Sequence, residues 1–411
     1  VKTAECFGLG PAAPDIPFER VMEYVRSVRQ HVYCEADAPP NMERLGVEVA
    51  KASARFIDPH SIELHGEDGS TRRVSSRYFV VASGSKSREP RFTTACLTNE
   101  TLFDLTSQPK RLVVIGAGPV GIEMAQAFQR LGSAVTVVGA GAHILPRDDP
   151  ELTDMLRKCL AAEGITFILG QRATGLARNG DALTATLEDG RAIACDVVLA
   201  AIGREPNVTG LTLQNAGVAA GENGIVIDER CRTRQPHIYA VGDVTGRYQF
   251  THMAEHMSKV AVTNAILRWP KKLDDKHLIW TTFTDPQLAR LGGSEAGAIY
   301  RLPFTKIDRA VTDGETAGLI KVTANSRGRI LGASILGANA GDMIAEYALA
   351  MRNGLRLSQI ANTIHPYPTF ALGNRQAADE WYSKKLGSPL LRLFAKLLRY
   401  RGRPGTPIHL R

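Results

Sequence analysis

Three glycines in a fixed spacing form the strongest candidate ligand site of this chain. Gly116, Gly118 and Gly121 stand in a G-x-G-x-x-G pattern, directly after the apolar run 112–115 and directly before an amphipathic segment. Between a strand and a helix, the first glycine permits a tight turn, the second lets a pyrophosphate approach the backbone, and the third lets helix and strand pack closely. The helix N-terminus adds N–H groups and a positive dipole. The pattern predicts a dinucleotide site; the alternative is a glycine-rich turn without a ligand.

An aspartate and two histidine motifs are weaker candidates. Asp243 follows the apolar run 238–242, where its carboxylate could accept hydrogen bonds from sugar or polyol hydroxyls, although an ordinary Gly-Asp turn is favoured on spacing alone. His252 and His256 share one helical face, but no third ligand is evident nearby, so packing or surface placement is favoured and we predict no metal site. The segment 365–369 is stiff because each proline restricts its predecessor. It could hold a ring against a cofactor or simply connect two helices.

Alternating strand and helix patterns position the glycine loop. The run 112–115 predicts a buried parallel strand. Further strands are predicted over 134–138, 166–168, 183–187 and 197–201, and a helix over 150–162. This order implies a parallel, doubly wound sheet with an antiparallel excursion. The helix after the glycines has one apolar face, formed by Val120, Met124, Ala127, Phe128 and Leu131.

The segments on either side of this unit also show element patterns. Residues 1 to about 45 are predicted to be largely helical, and strands are predicted over 47–50, 61–65 and 73–81. On the C-terminal side, a helix follows the run 238–243. The last part of the chain mixes strands and helices, with strands over 318–322 and 330–335 and helices over 340–351 and 357–360.

Size and composition are typical of a soluble globular protein with two or three domains. The chain has 411 residues, 44% of them hydrophobic, and no apolar run as long as a membrane span. The six cysteines, at 6, 34, 96, 159, 195 and 231, show neither zinc-ligand spacing nor a C-x4-C pair. Such a pattern is typical of reduced thiols and predicts a cytoplasmic location.

The net charge of +8 belongs to the C-terminal tail. Eight of the 50 basic residues lie from Lys384 onward, where no acidic residue occurs, so the remaining 42 balance the 42 acidic residues. The body therefore gives no indication of nucleic-acid binding. In the tail, a predicted helix sets six apolar residues against three basic ones, and packing on the protein body or on a partner subunit is favoured over contact with an anionic membrane. The apolar residues are Leu390, Leu391, Leu393, Phe394, Leu397 and Leu398, opposite Arg392, Lys396 and Arg399.

In this order the motifs resemble the pyridine nucleotide-disulfide oxidoreductases, specifically the mercuric reductase-like and dihydrolipoamide dehydrogenase-like members. The resemblance runs from about residue 18 to about residue 381. It is carried by the glycine loop with Glu123 and by the segments 82–85, 98–101, 144–150, 201–207, 239–243, 283–286 and 365–369.

The resemblance implies an α/β flavoprotein with two dinucleotide-binding domains and a C-terminal α+β dimerisation domain. Residues 1–109 and 204–272 would form the first and second parts of a truncated FAD-binding domain. A Rossmann-like NAD(P)-binding domain would occupy 110–203, and the dimerisation domain 273–385. Residues 386–411 would be a basic amphipathic helix and tail.

The resemblance also implies roles for particular residues. The glycine loop, with Pro119 and Val120, would bind NAD(P)H, Glu123 would lie near the nicotinamide, and Gly203 would border the cofactor. FAD would be bound by Ala82, Ser83, Gly84, Gly242, Asp243, Met253 and Ala254, with Asp243 on the ribityl chain. His365 and Tyr367, together with Glu123, are the predicted catalytic residues. The 365–369 loop would complete the flavin site of the partner in a homodimer.

Several departures from the family pattern bear on the chemistry. Members of the family open with their own strand–G-x-G-x-x-G–helix and a redox C-x4-C, and this chain is expected to begin after both. The His and Glu of the dihydrolipoamide dehydrogenase pattern correspond here to Tyr367 and Leu372, so no His-Glu dyad is predicted to protonate a dithiol. Gly139 stands where an acid would select NAD, and no arginine follows it before Arg147, so both NADH and NADPH remain possible cofactors.

The sequence therefore predicts an oxidoreductase that passes a hydride from NAD(P)H to FAD and then to a small-molecule acceptor, such as a quinone, a dye or oxygen, without its own redox disulfide. The alternative is a catalytically inactive, truncated relic that only binds NAD(P) or dimerises. A third hypothesis, prompted by the tail, is a peripheral membrane quinone reductase.

Overall fold

The computed structural model describes residues 8, 16–92, 96–179, 182–293, 297–386 and 389–398. The chain divides into two compact units, Val1–Asp275 and Lys276–Arg411. Each unit has a sheet and helices of its own.

The first unit begins with helices and an antiparallel sheet and continues into an alternating α/β region. Its helices are α1 (Phe18–Val32), α2 (Pro39–Arg44), α3 (Pro119–Arg130), α4 (Pro150–Ala162) and α5 (Thr251–Ile266). Its strands are β1 (Ala52–Asp58), β2 (Ser61–Gly66), β3 (Thr71–Ser75), β4 (Phe79–Val81), β5 (Ser85–Ser87), β6 (Arg111–Ile115), β7 (Ala134–Gly139), β8 (Thr166–Leu169), β9 (Ala173–Asn179), β10 (Ala182–Leu187), β11 (Ala192–Cys195), β12 (Val197–Ala200), β13 (Arg204–Pro206), β14 (Ala220–Gly221), β15 (Gly224–Ile225) and β16 (Ile238–Ala240).

A four-stranded parallel sheet carries the glycine loop. Its order is β12-β6-β7-β8, and β9 to β11 form a separate antiparallel sheet, so the predicted doubly wound sheet with an antiparallel excursion is confirmed. The central strands are apolar because both of their faces are covered: Val114, Val137 and Leu199 are fully buried. Helix α4 begins where the Asp149 carboxylate accepts from the Glu151 N–H at 3.1 Å, a typical N-cap.

The buried face of α3 differs from the predicted one. Ile122, Ala125 and Phe128 are buried, whereas Val120 and Ala127 are exposed. The reason is Gly121, since a Cβ there would lie 2.1 Å from the carbonyl oxygen of Gly116. This close approach fixes the rotation of the helix, so Ile122 and Ala125 are buried together with Phe128.

Two predicted strands of the first unit are also corrected. Residues 47–50 are not a strand, because β1 pairs with β2 only as far as Ala52 opposite Gly66, where β2 ends. The predicted strand 73–81 is two strands, since β3 pairs antiparallel with β2 and β4 pairs parallel with β16. The chain leaves one sheet and enters another between Ser75 and Phe79.

The second unit is built on a five-stranded antiparallel sheet in the order β17-β18-β21-β20-β19. Its core includes Phe304, Ile320, Ile335 and Tyr347, all fully buried. The strands are β17 (Ile279–Thr282), β18 (Gln287–Gly292), β19 (Ala298–Pro303), β20 (Leu319–Ala324) and β21 (Ile330–Gly337). The helices are α6 (Asp308–Thr312), α7 (Ala340–Arg352), α8 (Leu357–Ala361), α9 (Leu372–Leu386) and α10 (Pro389–Leu397). Within the described ranges, none of the helices is long and apolar enough to cross a bilayer.

Candidate functional site

The three glycines of the loop have three different surroundings. Gly116 has φ +112°, and a Cβ there would lie 2.2 Å from the carbonyl oxygen of Ala201. Gly121 is equally crowded against Gly116. A Cβ on Gly118, in contrast, would meet no atom within 4 Å. Two of the glycines are therefore required by the fold, and the remaining one leaves open space over the backbone.

The start of α3 supplies hydrogen-bond donors to this open space. The N–H of Ile122 donates to the carbonyl oxygen of Gly118 at 3.0 Å and closes the first helical turn. The N–H groups of Val120 and Gly121 precede it and have no acceptor inside a helix of this geometry. Pro119 has no N–H to leave unsatisfied, which suits the first helical position. An anionic group fits this N-terminus.

Other residues at the carboxyl edge of the parallel sheet extend the candidate site. Gly203 follows β12, the neighbour of β6, and has φ +110° with no atom within 4 Å of an added Cβ. Glu123 lies in the first half of α3 and is half-buried. Gly139 ends β7, where a Cβ would lie 2.9 Å from Leu169 Cδ2 and 3.0 Å from Ala117 Cβ. The end of the second strand is thus built for glycine and offers no carboxylate.

The predicted FAD-contacting loop 82–84 follows β4 and is held by Asn207. The hydroxyl of Ser83 donates to the carbonyl oxygen of Asn207 at 2.8 Å, and Asn207 Nδ2 donates to the Ser83 carbonyl oxygen at 3.0 Å. The N–H of Asn207 donates to the Gly84 carbonyl oxygen at 2.9 Å. Ala82 leads from β4 into this loop, and a Cβ on Gly84 would meet open space.

Asp243 lies in a tight turn that packs on the start of α5. Gly242 has φ +71°, and a Cβ there would lie 3.1 Å from the Cβ of Ala254. The hydroxyl of Thr245 donates to the Gly242 carbonyl oxygen at 2.8 Å and closes the turn. The structure therefore brings Gly242 and Ala254 into contact, with Met253, which is buried, beside them on α5. The sequence placed these residues in one site only through the family resemblance.

A polar network around Asp243 was not predicted. The hydroxyl of Ser85 donates to Asp243 Oδ2 at 2.6 Å and accepts from Arg204 Nε at 2.7 Å. Arg204 also donates to Asn99 Oδ1 at 3.2 Å and lies 3.6 Å from Asp243 Oδ2. The backbone N–H of Ser87 holds the pKa of Glu100 below its usual value. All six residues lie in segments that carry the resemblance or within two residues of one, but spacing alone could not show that Arg204 contacts Ser85.

His365, in the second unit, is fixed by two acceptors. Its Nε2 lies 2.9 Å from Glu346 Oε1, and its Nδ1 lies 2.9 Å from the carbonyl oxygen of Thr363. The side chain is only 7% exposed. Because both partners accept, the ring satisfies both only when both of its nitrogens carry a proton. His365 is therefore built into the loop rather than presented to solvent.

A buried asparagine connects this histidine to two helices. Asn374 Nδ2 donates to Glu346 Oε2 and to the carbonyl oxygen of Met343, each at 2.9 Å. The hydroxyl of Tyr347 donates to the Asn374 carbonyl oxygen at 3.1 Å. Asn374 and Glu346 were missed in the sequence, since nothing in their spacing links them to residue 365.

Tyr367 is an exposed residue of the 365–369 loop. It is 70% exposed, and its hydroxyl donates to Asp308 Oδ2 at 3.1 Å. The hydrogen bond to Asp308 raises the pKa of this phenol above its ordinary value. Leu372 is buried, in keeping with an apolar role at the position where the dihydrolipoamide dehydrogenase pattern has a glutamate.

None of the described cysteines forms a disulfide with another described residue, and three of them are shielded. Burial raises the pKa of Cys96 to about 11 and that of Cys231 to about 12, and it also raises the pKa of Cys195. A thiol with a raised pKa is a poor nucleophile at neutral pH because little thiolate is present. Among the residues that the structure describes, no cluster of three or more His, Cys, Asp or Glu could hold a metal ion.

The fold is that of the flavoprotein disulfide reductases. Residues 18–258 match the family model for pyridine nucleotide-disulphide oxidoreductases, and residues 279–377 match the model for their dimerisation domain. The chain belongs to the pyridine nucleotide-disulphide oxidoreductase family. The predicted family and fold class are thereby confirmed.

Several characterised proteins are similar to the chain. A dihydrolipoamide dehydrogenase of Chaetomium thermophilum is 35% identical over 83% of this chain and 71% of its own length. A mercuric reductase of Bacillus cereus is 32% identical, and the chain spans about half (54%) of it. Among solved structures, LpdA of Mycobacterium tuberculosis superposes with a TM-score of 0.85 at 27% identity, covering 92% of this chain and 86% of that one. The HOCl-induced flavoprotein disulfide reductase RclA of Escherichia coli, as its Cu(II) complex, gives 0.81 at 26% identity over 88% and 85%.

Membership of the family has direct consequences. Members depend on FAD and use NAD(P)H, and the matched dimerisation domain supports a homodimer. The relatives are oxidoreductases. The finer domain boundaries and the roles of individual site residues stay predictions.

Proposed function

We propose that the chain is an FAD-dependent NAD(P)H oxidoreductase that delivers electrons to a small-molecule acceptor without using a disulfide of its own. The observation that carries this proposal is the glycine loop, where Gly116 and Gly121 are sterically required by the fold and Gly118 alone faces open space. A loop that served only as a turn would not need the open glycine at the start of a helix.

The residues around Asp243, Gly84 and the start of α5 fit the flavin half of FAD. Asp243 is held by Ser85 at one oxygen, so its carboxylate has remaining lone pairs for ribityl hydroxyls. Gly84 leaves open space beside the loop, and α5 begins at Thr251 with first-turn N–H groups. Bound FAD supplies a reversible two-electron carrier. The protein's part is to hold that ring, orient the nicotinamide against it and exclude water.

The properties of the thiols and of Tyr367 favour an electron acceptor other than a dithiol. Cys96, Cys195 and Cys231 have pKa values raised by burial, so they are poor partners for disulfide exchange. Tyr367 carries a single phenol proton that donates to Asp308, and exchange of this hydrogen bond would let the phenol donate to a quinone or dye oxygen. We therefore expect a quinone, a dye or oxygen as the acceptor.

Both nicotinamide cofactors are expected to bind. The end of β7 is Gly139, with no carboxylate to bind the ribose 2′-hydroxyl of NADH or to repel the 2′-phosphate of NADPH. We expect dissociation constants for the two that differ by less than about tenfold, that is by less than about 1.4 kcal/mol. A cytoplasmic location is also part of the proposal.

The second candidate is an inactive protein that only binds NAD(P) or dimerises. The shielded thiols favour it as well, because they offer no dithiol chemistry. Calorimetry with FAD and with NADH separates the two candidates. Binding of FAD at micromolar affinity or better counts against the inactive protein.

The acceptor is tested by steady-state oxidation of NADPH and NADH by the FAD-loaded protein. We expect turnover with a benzoquinone or a redox dye, slower turnover with oxygen, and none above background with oxidised lipoamide. Lipoamide turnover equal to that with the quinone would contradict the proposed acceptor class. Absence of turnover with every acceptor, despite bound FAD, would contradict the proposed oxidoreductase activity.

A further inference from the structure

The last described helix, α10, exposes large apolar side chains. Leu393, Phe394, Leu397 and Leu398 are 55%, 55%, 69% and 79% exposed. The sequence pattern of this segment favours packing on the protein body or on a partner subunit. Such exposure argues against packing on the body of the same chain. A group of large exposed apolar side chains is typical of a surface that binds a partner.

The sequence of this segment separates its apolar and basic residues. At 100° per residue, the apolar positions from 390 to 398 fall within an arc of about 160°, and Arg392, Lys396 and Arg399 fall on the opposite side. From Lys384 onward the chain has eight basic residues and no acidic one. An apolar face bordered by positive charge alone is complementary to a surface with an apolar interior and negative headgroups.

We propose that α10 and the basic residues around it attach the protein to an anionic lipid surface. The nine-residue helix is about 14 Å long, less than half the thickness of a bilayer core, so it would lie in the plane of the interface. Leu393, Phe394 and Leu397 would enter the boundary between headgroups and acyl chains. The Lys and Arg side chains would pair with phosphate groups.

Charge favours lipid over a second copy of the chain as the occupant of this face. Two tails brought together would place eight positive charges next to another eight, and these charges would repel one another. The remainder of the chain carries 42 basic and 42 acidic residues, so it has no net negative charge to attract a tail. An anionic bilayer supplies both the negative charge and the apolar phase.

The proposal is tested by flotation of the full FAD-loaded chain with vesicles of phosphatidylcholine alone and with an equal share of phosphatidylglycerol. We expect at least about tenfold stronger partitioning to the anionic vesicles, decreasing with salt. The double variant Leu393→Glu/Leu397→Glu should lose this binding. The control Leu45→Glu/Val226→Glu makes the same charge change at two exposed apolar residues elsewhere and should bind like the unchanged protein.

Two results would overturn the proposal. The first is equal partitioning to both kinds of vesicle, or binding that survives in the Leu393→Glu/Leu397→Glu variant. The second is a smaller molar mass by light scattering for that variant but not for the control, because the face would then be covered by a second copy. Turnover of NADPH is measured on the same samples, so failure of membrane binding is distinguishable from failure of the proposed oxidoreductase activity.

Discussion

At the scale of single residues, a β-carbon added to a glycine of the loop would be crowded at Gly121 and unobstructed at Gly118. A Cβ on Gly121 would lie 2.1 Å from a backbone oxygen, whereas a Cβ on Gly118 would meet nothing within 4 Å. The sequence pattern predicts that Gly116 and Gly121 serve the turn and the packing and that Gly118 serves a ligand, and the structure adds the distances that distinguish the three positions.

This difference predicts opposite effects for two alanine substitutions. Gly121→Ala should lower the free energy of unfolding by about 1–3 kcal/mol, because the backbone must shift to admit the methyl group. Gly118→Ala should change it by less than about 1 kcal/mol but weaken NADPH binding about tenfold, since the methyl group lies where a pyrophosphate would approach. Urea unfolding and calorimetry measure the two quantities. Equal destabilisation with unchanged NADPH affinity would contradict the assigned roles.

Tyr367 and Asp308 form a pair whose titration is testable. The hydrogen bond from the phenol to Asp308 raises the Tyr367 pKa above 10.0, so the folded protein keeps this proton at a pH where a free tyrosine has begun to lose it. In Asp308→Asn the pKa should fall back toward the ordinary value. The ultraviolet tyrosinate signal, taken as the difference from Tyr367→Phe, should therefore appear at lower pH in the variant. A signal at the same or higher pH would show that Asp308 does not hold the proton.

At the scale of elements, sequence patterns predicted the sheet of the first unit better than the helix that packs on it. Helix α4 was predicted with the bounds that the structure gives it, because its proline and aspartate cap are local signals. The face of α3 that was predicted to be buried was wrong, since the contact between Gly121 and Gly116 sets the rotation of the helix. The polar networks around Asp243 and His365 join segments distant in sequence, which no local pattern encodes.

The network around Asn374 connects α7, α9 and the 365–369 loop. Asn374→Ala removes donors to Glu346 and Met343, and it should lower the free energy of unfolding by about 2–4 kcal/mol. The control Asn362→Ala removes one exposed hydrogen bond to Tyr382 in the same unit and should cost less than about 1 kcal/mol. Equal costs in urea unfolding would mean that the buried network adds nothing to stability.

At the scale of the whole molecule, the family match indicates that the second unit serves dimerisation. Its residues 279–377 match a dimerisation domain, and Ile364 at its surface is 95% exposed. We expect a homodimer by light scattering. Ile364→Glu should weaken dimerisation at least tenfold, about 1.4 kcal/mol, whereas Val226→Glu in the first unit should not. A monomeric unchanged protein would contradict this prediction.

The central claim is that NAD(P)H bound at the glycine loop reduces FAD bound by the same protein. Its most direct test is anaerobic addition of NADPH or NADH to the FAD-loaded chain while the visible flavin absorption is followed. We expect stoichiometric bleaching, and at sub-saturating NADPH we expect bleaching about tenfold slower in Gly118→Ala, with its FAD content unchanged. Flavin that neither nicotinamide cofactor bleaches, or bleaching that is as fast in Gly118→Ala as in the unchanged protein, would contradict it.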